Sequence, residues 1–405
     1  MGGRAPHRTP AARAGLLAEI VALSRRFGAD PEYVRAGGGN SSVKADGVLS
    51  IKPSGVSLAT LTVESLIPLA IEPLLALLED GPTPGSVPGS DEVLRVAESA
   101  RRSPADGRRP SVELLFHALL PEPIVLHTHP TTINTLTCSV GGRVLAEQLL
   151  GDLALWIPYT DPGLPLARMI RDERRQYAQR TGRRAAHAIL LQNHGLIVGG
   201  ETAGEITELS RQITGRIAEH AARRPAFSWG VVERTEGTIA ADLVTALRQT
   251  IGRLLATGGR PTEVVFDDSP LAVGVAGSEL GHRIAAGGPL TPDQIVYAGP
   301  WPLIVEEVPT DGAAATAAIE AALAERAARD VDPPIIVLVA GLGLFAVGDT
   351  ERGARTARDL YLDATRIASG AHRLGGTRPL APGEREFIER WEAEAYRRQV
   401  AARTL

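Results

Sequence analysis

Cysteine is almost missing from this sequence. Cys138 is the only one in 405 residues, which excludes an intrachain disulfide framework and suits a reducing compartment such as the cytoplasm. Aromatic residues make up only 4%, too few for the stacking platforms that single-stranded nucleic acid needs. Charge of one sign is lacking too: the net charge is −4, so no general attraction to nucleic acid is expected. No apolar run is long enough to cross a membrane. The longest, Pro333 to Gly348, falls short of the roughly 18 residues required and is broken by Gly341 and Gly343. The basic start, residues 1–13, has no apolar stretch of the secretory kind and reads as a flexible tail.

Apolar residues are plentiful, at 44%, and the length favours two domains over one. Leu16, Leu17, Ile20, Leu23 and Phe27 recur at helical spacing over 14–27. Strands are expected at 42–44 and 48–52 around an Asp46-Gly47 turn, at 124–129, at 155–159, at 188–192 and at 195–198. Helices are expected from Ser111 as a cap through Leu120, with Glu113 in the first turn, and over 132–138, 144–150, 166–181 and 202–222. Residues 81–90 read as a loop. Interleaved strands and helices give an α/β or α+β class, with helices flanking a sheet.

Arg223-Arg224-Pro225 marks a boundary, and a second unit, 233–405, begins near Glu233. Part of the first unit recurs there. The stretch 189–202 aligns with 337–350, each reading as strand, glycine turn, strand and a Thr-led helix. Leu342 stands where the first copy has His194, so the second copy lacks that side chain. Gly341-Leu-Gly343 is no dinucleotide fingerprint, because the third glycine is missing and a strand follows where a helix should start.

The chemistry concentrates on three histidines. His127 and His129 stand two apart in I-V-L-H-T-H-P, and His194 stands in L-L-Q-N-H-G. On an extended segment, residues two apart face the same side. A third imidazole from a later strand then completes a set that leaves a coordination position open. Zn2+ is the expected ion, with Mn2+, Fe2+ or Co2+ as substitutes. Glu113 is a candidate fourth ligand or base, or simply a partner of the helix dipole. His117 reads as packing around the site. The run Gly37-Gly38-Gly39-Asn40-Ser41-Ser42 and the turn Ser54-Gly55 offer backbone N–H groups and hydroxyls to an anion, or are plain turns.

Six segments in this order, G-G-N-S-S, K-P-S-G, R-P-S-V-E, H-T-H-P, I-P-Y and N-H-G, make residues 14–225 resemble the class II aldolase/adducin family. The resemblance implies a three-layer αβα domain with a central, mainly antiparallel sheet. It implies zinc on His127, His129 and His194, an acid/base carboxylate at Glu113, and substrate phosphate near Asn40, Ser54, Gly55 and Ser111. It also implies a proton donor at Tyr159, acting in a neighbouring copy of a homo-oligomer. Val112 departs from the small or hydroxyl residue common before the glutamate. The second unit is similar to the segment after the aldolase part in bifunctional rhamnulose-1-phosphate aldolase/dehydrogenases, and is expected to be a degenerate α/β domain. The chain stops near Trp391 to Leu405, so no dehydrogenase domain is expected. The implied activity is cleavage of a ketose 1-phosphate to dihydroxyacetone phosphate and a short aldehyde. The alternatives are a sugar-phosphate 4-epimerase, a thio-sugar phosphate dehydratase and a non-catalytic adducin-like protein. A glutamate at 113, where epimerases of the family more often carry aspartate, favours cleavage.

Overall fold

The structure is a computed structural model that describes residues 9–79, 90–104, 106–230, 232, 238–256, 262–306, 311–392 and 396. Residue contacts divide the chain into two compact units. The first takes 1–137, 141–223 and the segment from Arg390; the second takes 138–140 and 224–389. The expected loop over 81–90 lies outside the described residues except at Ser90, where a helix, Ser90–Ser99, begins. The expected start of the second unit near Glu233 also lies outside them.

In the first unit the strands are β1 (Asn40–Ala45), β2 (Val48–Ile51), β3 (Ile67–Ala70), β4 (Ile124–Thr128), β5 (Ala154–Ile157), β6 (Ala188–Leu191) and β7 (Gly195–Gly200). They form one sheet in the order β3-β2-β1-β4-β7-β6-β5. Each neighbouring pair is antiparallel except β5 and β6. The β1–β2 turn has positive φ at both Asp46 and Gly47, the backbone that a two-residue hairpin turn requires. Helices cover both faces. Pro10–Gly28 packs on β1 and β4 and Ala203–Ala222 on β7, while Leu114–Leu119 packs on β1 and β2 and Leu164–Thr181 on β5. The result is the expected αβα layering around a mainly antiparallel sheet. The main core of this unit fills the second face, where Val125, Ile189, Leu191 and Ile197 from alternate strand positions meet Leu114, Leu115, Phe116, Leu166 and Ile170.

The first helix begins at Pro10, inside the stretch expected to be a tail. Thr9 caps it by accepting the Ala12 N–H at 3.3 Å, and Pro10 needs no hydrogen-bond donor at the first helical position. No described helix is long and apolar enough to cross a membrane.

The second unit holds β8 (Glu263–Asp267), β9 (Leu303–Val305), β10 (Ile336–Val339) and β11 (Gly343–Gly348) in the order β8-β11-β10-β9. Alternation splits its core. Val337 and Val339 join Leu247, Ile251, Ile319 and Leu323 on one face, and Ile336 and Leu338 join Ala272, Val275, Ala357 and Tyr361 on the other. The strand registers repeat those of β4-β7-β6-β5. Leu191↔Gly195 corresponds to Val339↔Gly343, and Leu155↔Ile189 to Leu303↔Val337. Thr202 and Thr350 each cap the helix that follows. By the same registers Phe266 stands where β4 has His127.

Two glycines let strands approach where the histidines lie. Gly39 has φ +69, and a Cβ there would meet the His127 carbonyl oxygen at 2.7 Å. A Cβ on Gly195 would lie 2.4 Å from the Thr128 carbonyl oxygen and 2.9 Å from the His129 ring. Gly195→Ala is therefore expected to destabilise the protein by about 1–3 kcal/mol, the range for overpacking, and to weaken metal uptake. Urea unfolding together with metal titration checks this. Unchanged values in both would contradict the packing described.

Candidate metal centre

The N-H-G turn fixes the third imidazole. Asn193 lies at φ 56, a left-handed conformation that asparagine tolerates better than most residues. The His194 N–H bonds Leu191 O at 3.1 Å, and Asn134 Nδ2 donates to His194 O at 3.2 Å. His127, in the middle strand β4, is fully buried. Its Nδ1 lies 3.0 Å from Leu196 O. A carbonyl only accepts, so Nδ1 carries the proton and Nε2 presents a lone pair. His129, just past β4, is half-buried, and its backbone N–H bonds Tyr33 O at 3.0 Å. Its Nε2 sits 3.0 Å from that of His127.

Ligand atoms of the three histidines all lie within 4.8 Å of one another. Glu113, also buried, closes the group. Its Oε2 is 3.5 Å from His127 Nε2 and its Oε1 is 3.4 Å from His194 Nε2. Oε1 is buried with no hydrogen-bond partner. Such an atom is costly unless something satisfies it. Three imidazole nitrogens plus a nearby carboxylate oxygen fit a divalent ion as a donor set.

The local backbone differs from the expected helix. The helix is Leu114–Leu119, Ser111 does not cap it, and Glu113 is the N-cap residue, with a side chain that caps nothing. The Leu114 N–H is taken by Ser111 O at 3.1 Å and the Glu113 N–H by Ser111 Oγ at 3.3 Å. This forms a turn that frees the carboxylate to face His127 and His194.

Burial alone pushes the Glu113 carboxyl upward. The charges of His127, His194 and His129 and the Asn40 hydrogen bond outweigh it and hold the group below its ordinary value. A buried glutamate in an apolar pocket would be raised; this pocket is not apolar.

Asn40 pairs with His127 across β1 and β4, and its Nδ2 donates to Glu113 Oε2 at 2.6 Å. Ser54 and Ser111 lie buried on two strips joined through the Pro53↔Pro110 bridge. The Ser54 N–H bonds Arg109 O at 2.9 Å, and the Ser111 N–H bonds Lys52 O at 3.2 Å. Gly55 turns the first strip with φ 77. Tyr159 is on a separate loop after β5, where its N–H bonds Gln192 Oε1 at 3.1 Å.

Residues 18–214 match the sequence model described as Class II Aldolase and Adducin N-terminal domain, and residues 238–397 match the one described as Aldolase class II, second domain. The chain carries a class II aldolase/adducin domain followed by a class II aldolase second domain. Over 417 residues it is 25% identical to a Bacillus subtilis (strain 168) protein named Uncharacterized oxidoreductase YuxG. That match covers 95% of this chain, which spans 58% of the length of that relative. Similar solved structures include the N-terminal class II aldolase domain of a conserved protein from Thermoplasma acidophilum (25% identity, 54% of this chain and 97% of that one, TM-score 0.43). Another is L-fuculose-1-phosphate aldolase from Thermus thermophilus (20% identity, 52% and 94%, TM-score 0.34).

Two lysines of the aldolase domain, Lys52 buried and Lys44 half-buried, were passed over by sequence reasoning. Lys52 is only 2% exposed. Its Nζ donates to Val56 O at 2.6 Å and Pro53 O at 3.3 Å, placing a cation under the Ser54-Gly55 turn. The signal was a lysine directly after the buried residues Leu49, Ser50 and Ile51 of β2. Lys44 Nζ donates to His117 O at 2.7 Å. Burial lowers the Lys44 ammonium to about 7 against an opposing pull from Glu122. The folded form thus sheds a proton that the unfolded chain keeps up to the ordinary lysine value of 10.5. The penalty is full below about pH 7 and is relieved as pH rises above it. Unfolding free energy should rise between about pH 7 and pH 9, and Lys44→Met should flatten that rise in urea titrations. Equal slopes in the two proteins would contradict it.

Proposed function

We propose that this chain is a zinc-dependent aldehyde-lyase that cleaves a ketose 1-phosphate of the rhamnulose 1-phosphate type to dihydroxyacetone phosphate and a short aldehyde. The observation that carries this reading is the convergence of His127, His129 and His194 beside Glu113, whose buried Oε1 has no hydrogen-bond partner and lies 3.4 Å from His194 Nε2. A divalent ion held by His127, His129 and His194 supplies, when bound, Lewis acidity worth several kcal/mol toward the negative charge that develops on the substrate oxygens as the carbon–carbon bond opens. The substrate phosphate lies against Asn40, Ser54, Gly55 and Ser111, with the Lys52 charge beneath them. Glu113 takes the proton of the C4 hydroxyl, and Tyr159 of a neighbouring copy in a homo-oligomer donates one.

The alternative is a sugar-phosphate 4-epimerase, which needs the same ion and the same bond cleavage followed by re-addition. Glu113 in place of aspartate favours the lyase. A non-catalytic adducin-like role has no use for the four converging donors.

Glu113→Gln is expected to keep bound metal and lose about 10²–10⁴-fold in turnover, the usual weight of one acid/base group. The assay follows dihydroxyacetone phosphate released from L-rhamnulose 1-phosphate, with L-ribulose 5-phosphate as the epimerase substrate. Full activity in the variant would remove Glu113 from the mechanism, and turnover of the pentulose phosphate alone would select the epimerase.

A further inference from the structure

Behind Glu113 a line of hydrogen bonds runs into the core. Ser42 Oγ lies 2.7 Å from His117 Nδ1, His117 Nε2 bonds Asn40 Oδ1, and Asn40 Nδ2 donates to Glu113 Oε2. His117 is fully buried, and its ring stacks on Phe116 with centroids 4.7 Å apart.

With Glu113 ionised and His117 held neutral by its burial, only one proton arrangement satisfies every link. A carboxylate can only accept, so the Asn40 amide must turn its NH2 toward Oε2. Its oxygen then faces His117 Nε2, which must carry the ring proton. Nδ1 is left bare and accepts from the Ser42 hydroxyl. The opposite amide orientation would set Asn40 Oδ1 against the carboxylate, acceptor to acceptor.

We propose that His117 is a positioning residue. Its Nε2–H locks the Asn40 amide, the amide occupies Glu113 Oε2, and Oε1 is thereby left as the carboxylate oxygen presented to the ion. This rests on the proposed metal centre. It gives a neutral, buried histidine that touches neither ion nor substrate a defined task. Partners that orient a metal ligand typically contribute about 10–100-fold in metal affinity.

Two measurements on the full chain test it. With 15N-labelled histidine, long-range 1H–15N correlation should show a buried ring held as the Nε2–H tautomer, with and without zinc, besides that of His282, whose Nε2 lies 2.6 Å from Ala276 O, and only the first of these signals should vanish in His117→Gln. A His117 ring protonated on Nδ1, or exchanging between tautomers, would overturn the proposal. Zinc affinity by chelator competition should fall about tenfold or more in His117→Phe, which keeps the stack on Phe116 but has no N–H. His117→Gln, whose amide N–H reaches toward the place of Nε2–H, should recover most of that loss. Equal weakening in both variants would mean packing alone and would overturn the lock. Neither readout uses turnover. A failed lyase assay with both results intact would fault the proposed reaction and leave the positioning role standing.

Discussion

The pairing of β4 with β7 is the constraint on which the rest depends. It sets His127 against Ile197 and Thr128 against Leu196, so the end of one strand meets the beginning of the other where His129 and His194 lie. The same contact supplies Leu196 O, which takes the His127 Nδ1 proton and aims Nε2 inward. Gly195 lets the two backbones come this close. A shift of β7 by one residue would turn every side chain to the opposite face, breaking the core at Ile197 and the histidine group together.

Around that pairing the molecule gathers groups that are expensive to bury. Glu113, His117, His127, His194 and Lys52 are all buried or nearly so. They are tolerable because each has a charge or a hydrogen bond to meet, Glu113 Oε1 facing the His194 ring without a hydrogen bond. The second sheet is a contrast within one chain. Its β8-β11-β10-β9 frame repeats the registers of β4-β7-β6-β5, yet Phe266 and Leu342 stand at the positions of His127 and His194. The fold can thus be kept while the donors are lost, and chemistry has to be argued from side chains.

Much of this was legible in the sequence, for physical reasons that vary by element. H-T-H on a strand fixes two rings by the period of two, and Asp46-Gly47 declares its hairpin through the φ values the turn demands. The repeat of 189–202 at 337–350 was readable because glycine and threonine mark turn and cap. The start of the helix at Leu114 was not readable. It depends on a turn in which Ser111 O takes the Leu114 N–H and Ser111 Oγ the Glu113 N–H, a local choice that the residue types do not announce. Burial alone would push the Glu113 carboxyl upward, and it is held downward by neighbours up to 81 residues away in sequence, such as His194. The line from Ser42 through His117 and Asn40 needs β1 and the helix Leu114–Leu119 side by side. The regrouping of 138–140 and of the segment from Arg390 likewise follows from contacts and leaves no mark on composition.

The central claim is that one divalent ion is held by three imidazoles and a carboxylate in the aldolase domain. X-ray absorption at the zinc edge on the loaded full chain tests it most directly. The account predicts three nitrogen scatterers with the imidazole multiple-scattering pattern and at least one oxygen, at about 2.0–2.2 Å, with that pattern lost in His127→Ala. An all-oxygen shell without imidazole scattering would contradict it.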